Sequence, residues 1–231
     1  MALNVAILLP ASAPVALTDA MPKSTSDVTI LAIEPGDELP AGQIKALVWC
    51  PGTEPSRVIA MLDAHPEVEW VHSMPAGVDG LAGVIDSRLR DSPIALTNGR
   101  GAFSSSLGEY AIASMLYFNK QFKRCEANRT AKRWDKFTMN TLQGKTLGFV
   151  GYGHIAKTCA AMAAPFGMKM IALRRNPGKV EEGSFLSETF GADATDRFYS
   201  RCDFCICSLP LTPESKQSVN AKCFESMKAT W

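Results

Sequence analysis

Short apolar runs alternate with polar, turn-forming stretches through the first hundred residues. Residues 5–9, 28–33, 46–49, 68–74 and 94–97 are rich in Val, Ile and Leu and are bounded by Pro, Gly or Asp. Runs of this length predict strands buried on both faces of a parallel sheet. Between the third and fourth runs, TEPSRVIAMLDAHP places Val58, Ile59 and Leu62 on one helical face. Thr53 or Ser56 is positioned to cap that helix and Pro66 to stop it. Strand–helix–strand order with short links predicts an α/β layer domain.

The period then changes. SSSLGEYAIASMLYFNKQF carries Leu107, Tyr110, Ala111, Met115, Phe118 and Phe122 at helical spacing. Ser106 and Glu109 have capping-box spacing, so the pattern predicts one long helix over about 107–124, its stripe packed in a core or an interface. KRCEANRTAKRWDKF follows, polar and basic with an isolated Trp134, and reads as a surface arm.

The third segment, TLGFVGYGHIAKTCAAMAAPFGMKMIALRRNP, reads strand (146–150), glycine turn, helix, glycine stop, strand (168–173). Gly151, Gly153 and Ala156 give G-x-G-x-x-A inside a βαβ unit, the context in which that spacing carries meaning. Gly151 permits the tight turn, Gly153 leaves room for a pyrophosphate, and Ala156 lets helix and strand pack closely. The N–H groups at the helix start then face an anion, so Gly151, Tyr152, Gly153, His154, Ile155 and Ala156 are candidate cofactor-binding residues. Ala156, Cys159, Ala160 and Ala163 form a small-residue face on the helix, which Pro165 and Gly167 end.

An NAD-preferring site places a carboxylate at the end of the second strand, about 20 residues past the first glycine. Here Arg174 stands 23 residues after Gly151, followed by Arg175. Two guanidinium groups suit a ribose 2′-phosphate, which predicts NADP rather than NAD. The absent carboxylate also argues against S-adenosylmethionine. Further on, CDFCICSLPLTPESKQSVN predicts a buried strand whose end, Ser208, Leu209, Pro210 and Leu211, borders the cofactor cleft. Thr212 and Pro213 then have the spacing of a helix cap and first turn.

Composition adds exclusions. Of 231 residues, 46% are apolar and 20% charged, as in soluble globular proteins. Lys and Arg number 24 against 23 Asp and Glu, with no dense basic run, which argues against a nucleic-acid partner. No apolar run reaches the roughly 18–20 residues of a membrane span. MALNVAILLPASAP lacks a basic leader region and is better read as a first strand than as a secretory signal. The seven cysteines, an odd number, are no disulfide framework. Cys202 and Cys205 form a lone C-x-x-C without a second ligand pair, so they read as small core side chains rather than a metal or redox site. A reducing, cytoplasmic compartment follows.

Together these motifs resemble the D-isomer-specific 2-hydroxyacid dehydrogenase family, and within it the glyoxylate/hydroxypyruvate reductase branch. WVHSMPAGVDGL, IALTNGRGAFSSSLGEYAIASML, LQGKTLGFVGYGHIAKTCAAMAAPFGMKMIALRR and CDFCICSLPLTPESK occur in the family's order. The resemblance implies an α/β fold of two Rossmann/flavodoxin-like doubly wound lobes, the cofactor-binding lobe incomplete. Residues 1–105 would be the substrate domain, 106–140 an interdomain helix and arm, and 141–231 the N-terminal part of the NAD(P)-binding domain. It implies hydride transfer between NADP and a small 2-oxo acid, the 2-oxo/2-hydroxy acid pair being the small-molecule partner, in a cytoplasmic homodimer with no membrane or nucleic-acid partner. Backbone N–H groups of Ala76, Gly77 and Val78 would bind the substrate carboxylate, and Arg100 would border the cleft. Leu209, Pro210 and Thr212 would line the cofactor.

The family's catalytic Arg, Glu and His lie after the S-L-P-L-T strand, hence beyond Trp231, and no catalytic residue is expected within this chain. Of its histidines, His65 reads as solvated, His72 as a packed strand residue and His154 as facing phosphates. The chain therefore reads as an N-terminal portion, inactive by itself, with its Cys-rich strand left as an unguarded, aggregation-prone sheet edge. The alternative is a non-catalytic NAD(P)-binding or dimerisation module.

Overall fold

In the computed structural model, which describes residues 2–12, 19–178 and 183–229, the first hundred residues contain five parallel strands. They are β1 (Leu3–Leu8), β2 (Val28–Ile33), β3 (Ala46–Trp49), β4 (Trp70–Ser73) and β5 (Ala95–Asn98). Their order, β2-β1-β3-β4-β5, is the flavodoxin-like one. Helix α1 (Pro55–Ala64) connects β3 to β4 and buries Val58, Met61 and Leu62. The apolar runs of the sequence fall on these strands because both faces of the sheet are covered. Leu8, Leu47, Met61, Val71 and Leu81 meet in one core.

Two local expectations are corrected in this unit. Neither Thr53 nor Ser56 caps α1: Glu54 is the cap residue, without a side-chain bond, and Pro55 starts the helix. Thr53 is buried instead and donates its hydroxyl to the Leu8 carbonyl at 2.9 Å, tying the loop after β3 to the end of β1. His65 is not solvated but 5% exposed, with Nδ1 3.4 Å from Glu67 Oε1. Between β4 and β5 lies an irregular helical run, Asp79–Leu81, Ala82–Val84 and Ile85–Leu89. Its glycines and short apolar spacing gave no helical signal in the sequence.

Packing groups the remaining residues into a second unit, Gly101–Trp231, separate from Met1–Arg100. Its strands are β6 (Thr146–Val150), β7 (Lys169–Leu173), β8 (Glu188–Phe190) and β9 (Phe204–Cys207), all parallel, in the order β8-β7-β6-β9. This is the 3-2-1-4 arrangement with which a Rossmann sheet begins. The helices are α2 (Ser104–Asn119), α3 (Phe122–Thr130), α4 (His154–Ala163), α5 (Thr195–Arg201) and α6 (Ala221–Glu225). Strands β8 and β9 are the two edges of this sheet among the described residues.

The single helix over 107–124 is corrected to two. Helix α2 starts at Ser104, its cap residue Phe103 makes no side-chain bond, and the Ser106–Glu109 box does not form. The break comes at Gln121, whose backbone is left-handed (φ 52°) and whose carbonyl accepts the N–H groups of Arg124 and Cys125. Asn119 and Lys120 side chains hold the Asn140 carbonyl at 3.0 and 2.7 Å, fixing the bend from outside. Half of the segment read as a surface arm is therefore helix α3. Of the apolar stripe, Met115 packs in the core, while Leu107, Tyr110, Phe118 and Phe122 are exposed in the single chain. No helix among the described residues is long and apolar enough to cross a membrane. Thr230 and Trp231, the end of the MKATW stretch, and Ala13 and Pro14 of the N-terminal stretch lie outside the described residues.

Candidate functional site

Register places the second unit's candidate residues in one row. Val150 pairs with Leu173 on one side and Cys207 on the other, so the next residues, Gly151, Arg174 and Ser208, stand together at the carboxyl ends of β6, β7 and β9. Their backbones are tied in place: Gly151 N–H to Leu173 O at 2.9 Å, Ser208 N–H to Val150 O at 3.1 Å, and Arg174 N–H to Phe190 O at 2.9 Å. Strands 1 and 4 of this arrangement lead away to opposite sides, and ligands bind in the crevice between such strand ends.

Gly151 has φ +82°, which disfavours any other residue, and a β-carbon there would lie 2.7 Å from Leu209 Cδ2. Gly153 behaves oppositely: a β-carbon on it would meet no protein atom within 4 Å. The space over Gly153, at the start of α4, is therefore open toward an incoming group. Ala156, Cys159, Ala160 and Ala163 are fully buried, seating α4 on the sheet as the small-residue face predicts. The Ser208 hydroxyl is buried without a partner among the described residues, beside this turn. An orphaned donor, an open glycine and free helix N–H groups fit a dinucleotide pyrophosphate.

The histidine of the turn departs from expectation. The side chain of His154 does not reach out alone: its Nδ1 is 2.8 Å from the Ser104 hydroxyl, and its ring lies over Gly101, 3.5 Å from where a β-carbon would be. His154 thus links α4 to the first residue of α2. Tyr152 packs its ring on Phe149, and Ile155 is half-buried in the same core.

Arg174 is half-buried and Arg175 exposed, both at the end of β7. After β9, the helix expected at Thr212–Pro213 is replaced by a turn. Thr212 N–H donates to the Ser215 hydroxyl at 2.8 Å, Ser215 N–H returns to the Thr212 hydroxyl at 3.2 Å, and Ser215 Oγ also bonds the Pro210 carbonyl. These local bonds compete with helix formation. The next helix, α6, begins only at Asn220, whose side chain accepts from Lys222 N–H. The Glu214 carboxyl is held below its ordinary range by the Thr212 hydroxyl, by its own backbone N–H and by nearby Arg175.

In the first unit, the turn after β4 carries Ala76, Gly77 and Val78. Among the described residues no acceptor reaches their N–H groups. Its carbonyls are held from the other side: Asn98 Nδ2 donates to Ala76 O at 2.8 Å, and the buried Ser73 hydroxyl lies 3.4 Å from Gly77 O. Arg100 is exposed and donates its N–H to Asn98 Oδ1 at 3.3 Å. A row of unpaired amides is a site for an anion.

The family model for the D-isomer specific 2-hydroxyacid dehydrogenase NAD binding domain matches residues 112–231. The chain belongs to that family. Among relatives of this chain, a hydroxypyruvate reductase of Thermotoga maritima is 29% identical over 66% of this chain and 48% of its own length. A glyoxylate/hydroxypyruvate reductase A of Serratia proteamaculans is 26% identical over 84% of this chain and 60% of its own. The chain thus spans about half of the first of these relatives and three fifths of the second. Among solved structures, an NADPH-dependent glyoxylate/hydroxypyruvate reductase of Sinorhizobium meliloti, in complex with NADP and sulfate, superposes with TM-score 0.75 at 23% identity. That match covers 98% of this chain and 68% of the other.

Within this fold, sequence reasoning missed Ser104 and assigned no function to Asn98. Neither carries a motif signal by itself. Both act through contacts with residues 50 and 22 positions away, visible only once the strands are paired.

Proposed function

We propose that this chain forms the cofactor cradle and the substrate-carboxylate turn of an NADP-dependent oxidoreductase. It would interconvert a small 2-oxo acid, of the glyoxylate or hydroxypyruvate kind, with the D-2-hydroxy acid. The observation that carries the reading is the row at the strand ends: Gly151 and Gly153 in the turn after β6, with Arg174 in place of a carboxylate just after β7. The names of the relatives support it.

In this reading residues 1–105 are the substrate domain, 106–140 a linking helix and arm, and 141–231 the cofactor-binding part, in a cytoplasmic homodimer. The turn from Gly151 to Ala156 holds the pyrophosphate, Arg174 and Arg175 hold the 2′-phosphate, and Leu209, Pro210 and Thr212 wall the cleft. When bound, the nicotinamide supplies or accepts the hydride. Ala76, Gly77 and Val78 orient the substrate carboxylate, and Arg100 adds positive charge. General acid catalysis needs a placed acid. His65 is buried at the end of α1, and His154 is committed to Ser104. His72 shares the Thr97 hydroxyl (2.8 Å) with Trp70 and has no carboxylate partner among the described residues. The proton donor is therefore assigned to none of these histidines, and the chain alone is inactive.

Fluorescence titration of the 231-residue chain with NADPH and NADH, followed by glyoxylate, tests this. NADPH binding at least tenfold tighter than NADH, without turnover, is the expected result. Equal binding of the two overturns the NADP assignment, and absence of binding overturns the cradle. NADPH oxidation on adding glyoxylate returns the chemistry to His72 and Arg100.

A further inference from the structure

The turn at 76–78 owes its geometry to three peptide planes, each anchored by its carbonyl. A peptide unit is planar and trans, so fixing C=O in one direction aims the following N–H the opposite way. The Ala76 N–H shares its plane with Pro75 O, which accepts from Gly99 N–H at 3.3 Å and from the Ser73 hydroxyl at 3.3 Å. The Gly77 N–H shares its plane with Ala76 O, held by Asn98 Nδ2 at 2.8 Å. The Val78 N–H shares its plane with Gly77 O, 3.4 Å from the Ser73 hydroxyl, which divides its single proton between two carbonyls.

The donors come from one place. Ser73 and Asn98 are register partners at the ends of β4 and β5, and Ser73 is fully buried. Gly99 N–H also bonds Ser73 O at 2.9 Å. Gly99 cannot carry a side chain, because a β-carbon there would lie 2.0 Å from the Met74 carbonyl oxygen. The three amides that no acceptor among the described residues reaches are the three whose planes are pinned from behind.

We infer that Asn98, Ser73 and Gly99 are positioning residues that pre-orient the N–H groups of Ala76, Gly77 and Val78 toward a carboxylate. This rests on the reading of that turn as the substrate-carboxylate site. Donors held in place before binding bind an anion without an ordering cost at the moment of association. Asn98 sets the central plane with the shortest bond of the set, so its loss falls first on the Gly77 amide.

The test is an oxalate titration of the ¹⁵N-labelled 231-residue chain, followed on the backbone amide signals of Ala76, Gly77 and Val78. Oxalate shifts all three in the wild type. Asn98→Ala weakens oxalate binding at least tenfold, disperses the Gly77 signal before any other, and leaves Val71 and Leu47 amides and NADPH affinity within twofold of wild type. Ser73→Ala, which removes the hydroxyl behind the Pro75 and Gly77 planes without touching Asn98, gives a loss read first at Val78, and decides the matter if Asn98→Ala does not fold. Oxalate binding within twofold of wild type in the folded variants overturns the inference. Wild-type chain that binds NADPH but shows no oxalate shift at these amides overturns the substrate-site reading itself, and the inference with it.

Discussion

Leu209 closes over Gly151, its Cδ2 2.7 Å from the position of a β-carbon that Gly151 lacks. The contact joins the end of β9 to the turn after β6, the two strand ends that flank the crevice. Gly151→Ala must meet both this collision and a left-handed backbone, which costs an L-residue about 1–2 kcal/mol. The expected outcome is a lower melting temperature together with loss of NADPH binding, checked by thermal melts and fluorescence titration. Unchanged melting would mean that Leu209 moves aside freely.

Gly153 makes the contrasting case. A β-carbon there meets no protein atom within 4 Å, and Gly153→Val should leave the melting temperature within a degree or two of wild type. It should nevertheless weaken NADPH at least tenfold, because the added methyl groups occupy the space over the start of α4. Isothermal calorimetry of the folded variant reads this directly, and retained affinity would place the pyrophosphate elsewhere.

Arg174→Asp tests cofactor choice. A hydrogen bond to a charged group is worth about 1.5–3 kcal/mol, roughly ten- to a hundredfold in affinity. NADPH should weaken by that factor while NADH holds or tightens, since a carboxylate at the end of the second strand suits the ribose hydroxyl. Parallel loss of both cofactors would assign Arg174 a structural role.

Acid should loosen the first unit at Glu67. Its carboxyl is held below the ordinary value of 4.5 by its own backbone N–H and that of Ile44, the latter at 2.9 Å, with His65 contributing. A folded pKa below the unfolded one gives stability that is complete above about pH 4.5 and is lost as pH falls through the folded value. Asp135, held below its ordinary 3.8 by Arg124, acts in the same direction at lower pH. Melting temperatures between pH 6 and 3 should fall less steeply in Glu67→Gln than in wild type; parallel curves would remove Glu67 from the effect.

The thiols should divide by environment. The Cys205 thiol is pushed up by a hydrogen bond with the Cys202 thiol and by burial, and burial also raises Cys50 and Cys159. Such thiols are poor nucleophiles at neutral pH, whereas Cys207 is exposed. Brief iodoacetamide treatment at pH 7.5 with mass-spectrometric mapping should label Cys207 first and leave Cys50, Cys159 and Cys205 unmodified. Early labelling of Cys205 would revive a reactive role for the C-x-x-C pair.

Most strands of the two sheets are legible in the sequence because a parallel sheet buries both of its faces, and that burial demands continuous runs of Val, Ile and Leu. Strand β8 and helix α5 are not: Glu188–Phe190 is three residues long and holds only one buried apolar side chain. Helix ends are misread wherever a hydroxyl has a better use than capping. Thr53 reaches across to β1, and Thr212 closes its own turn with Ser215. At the candidate site, the glycines announce themselves by spacing, since a turn of that shape requires them. Asn98 and Ser104 do not, because a polar residue that steadies a neighbour has no pattern of its own.

Gly108 faces α4, where a β-carbon would come within 2.7 Å of Met162 Sδ and 3.5 Å of Thr158 Cγ2. The missing side chain lets Met162 and Thr158 of α4 rest on the backbone of α2, with the Ser104–His154 bond fastening one end. Motion in one is therefore inherited by the other. Slowed hydrogen–deuterium exchange on NADPH addition should spread along Ser104–Asn119, a helix that offers the nucleotide no ligand of its own.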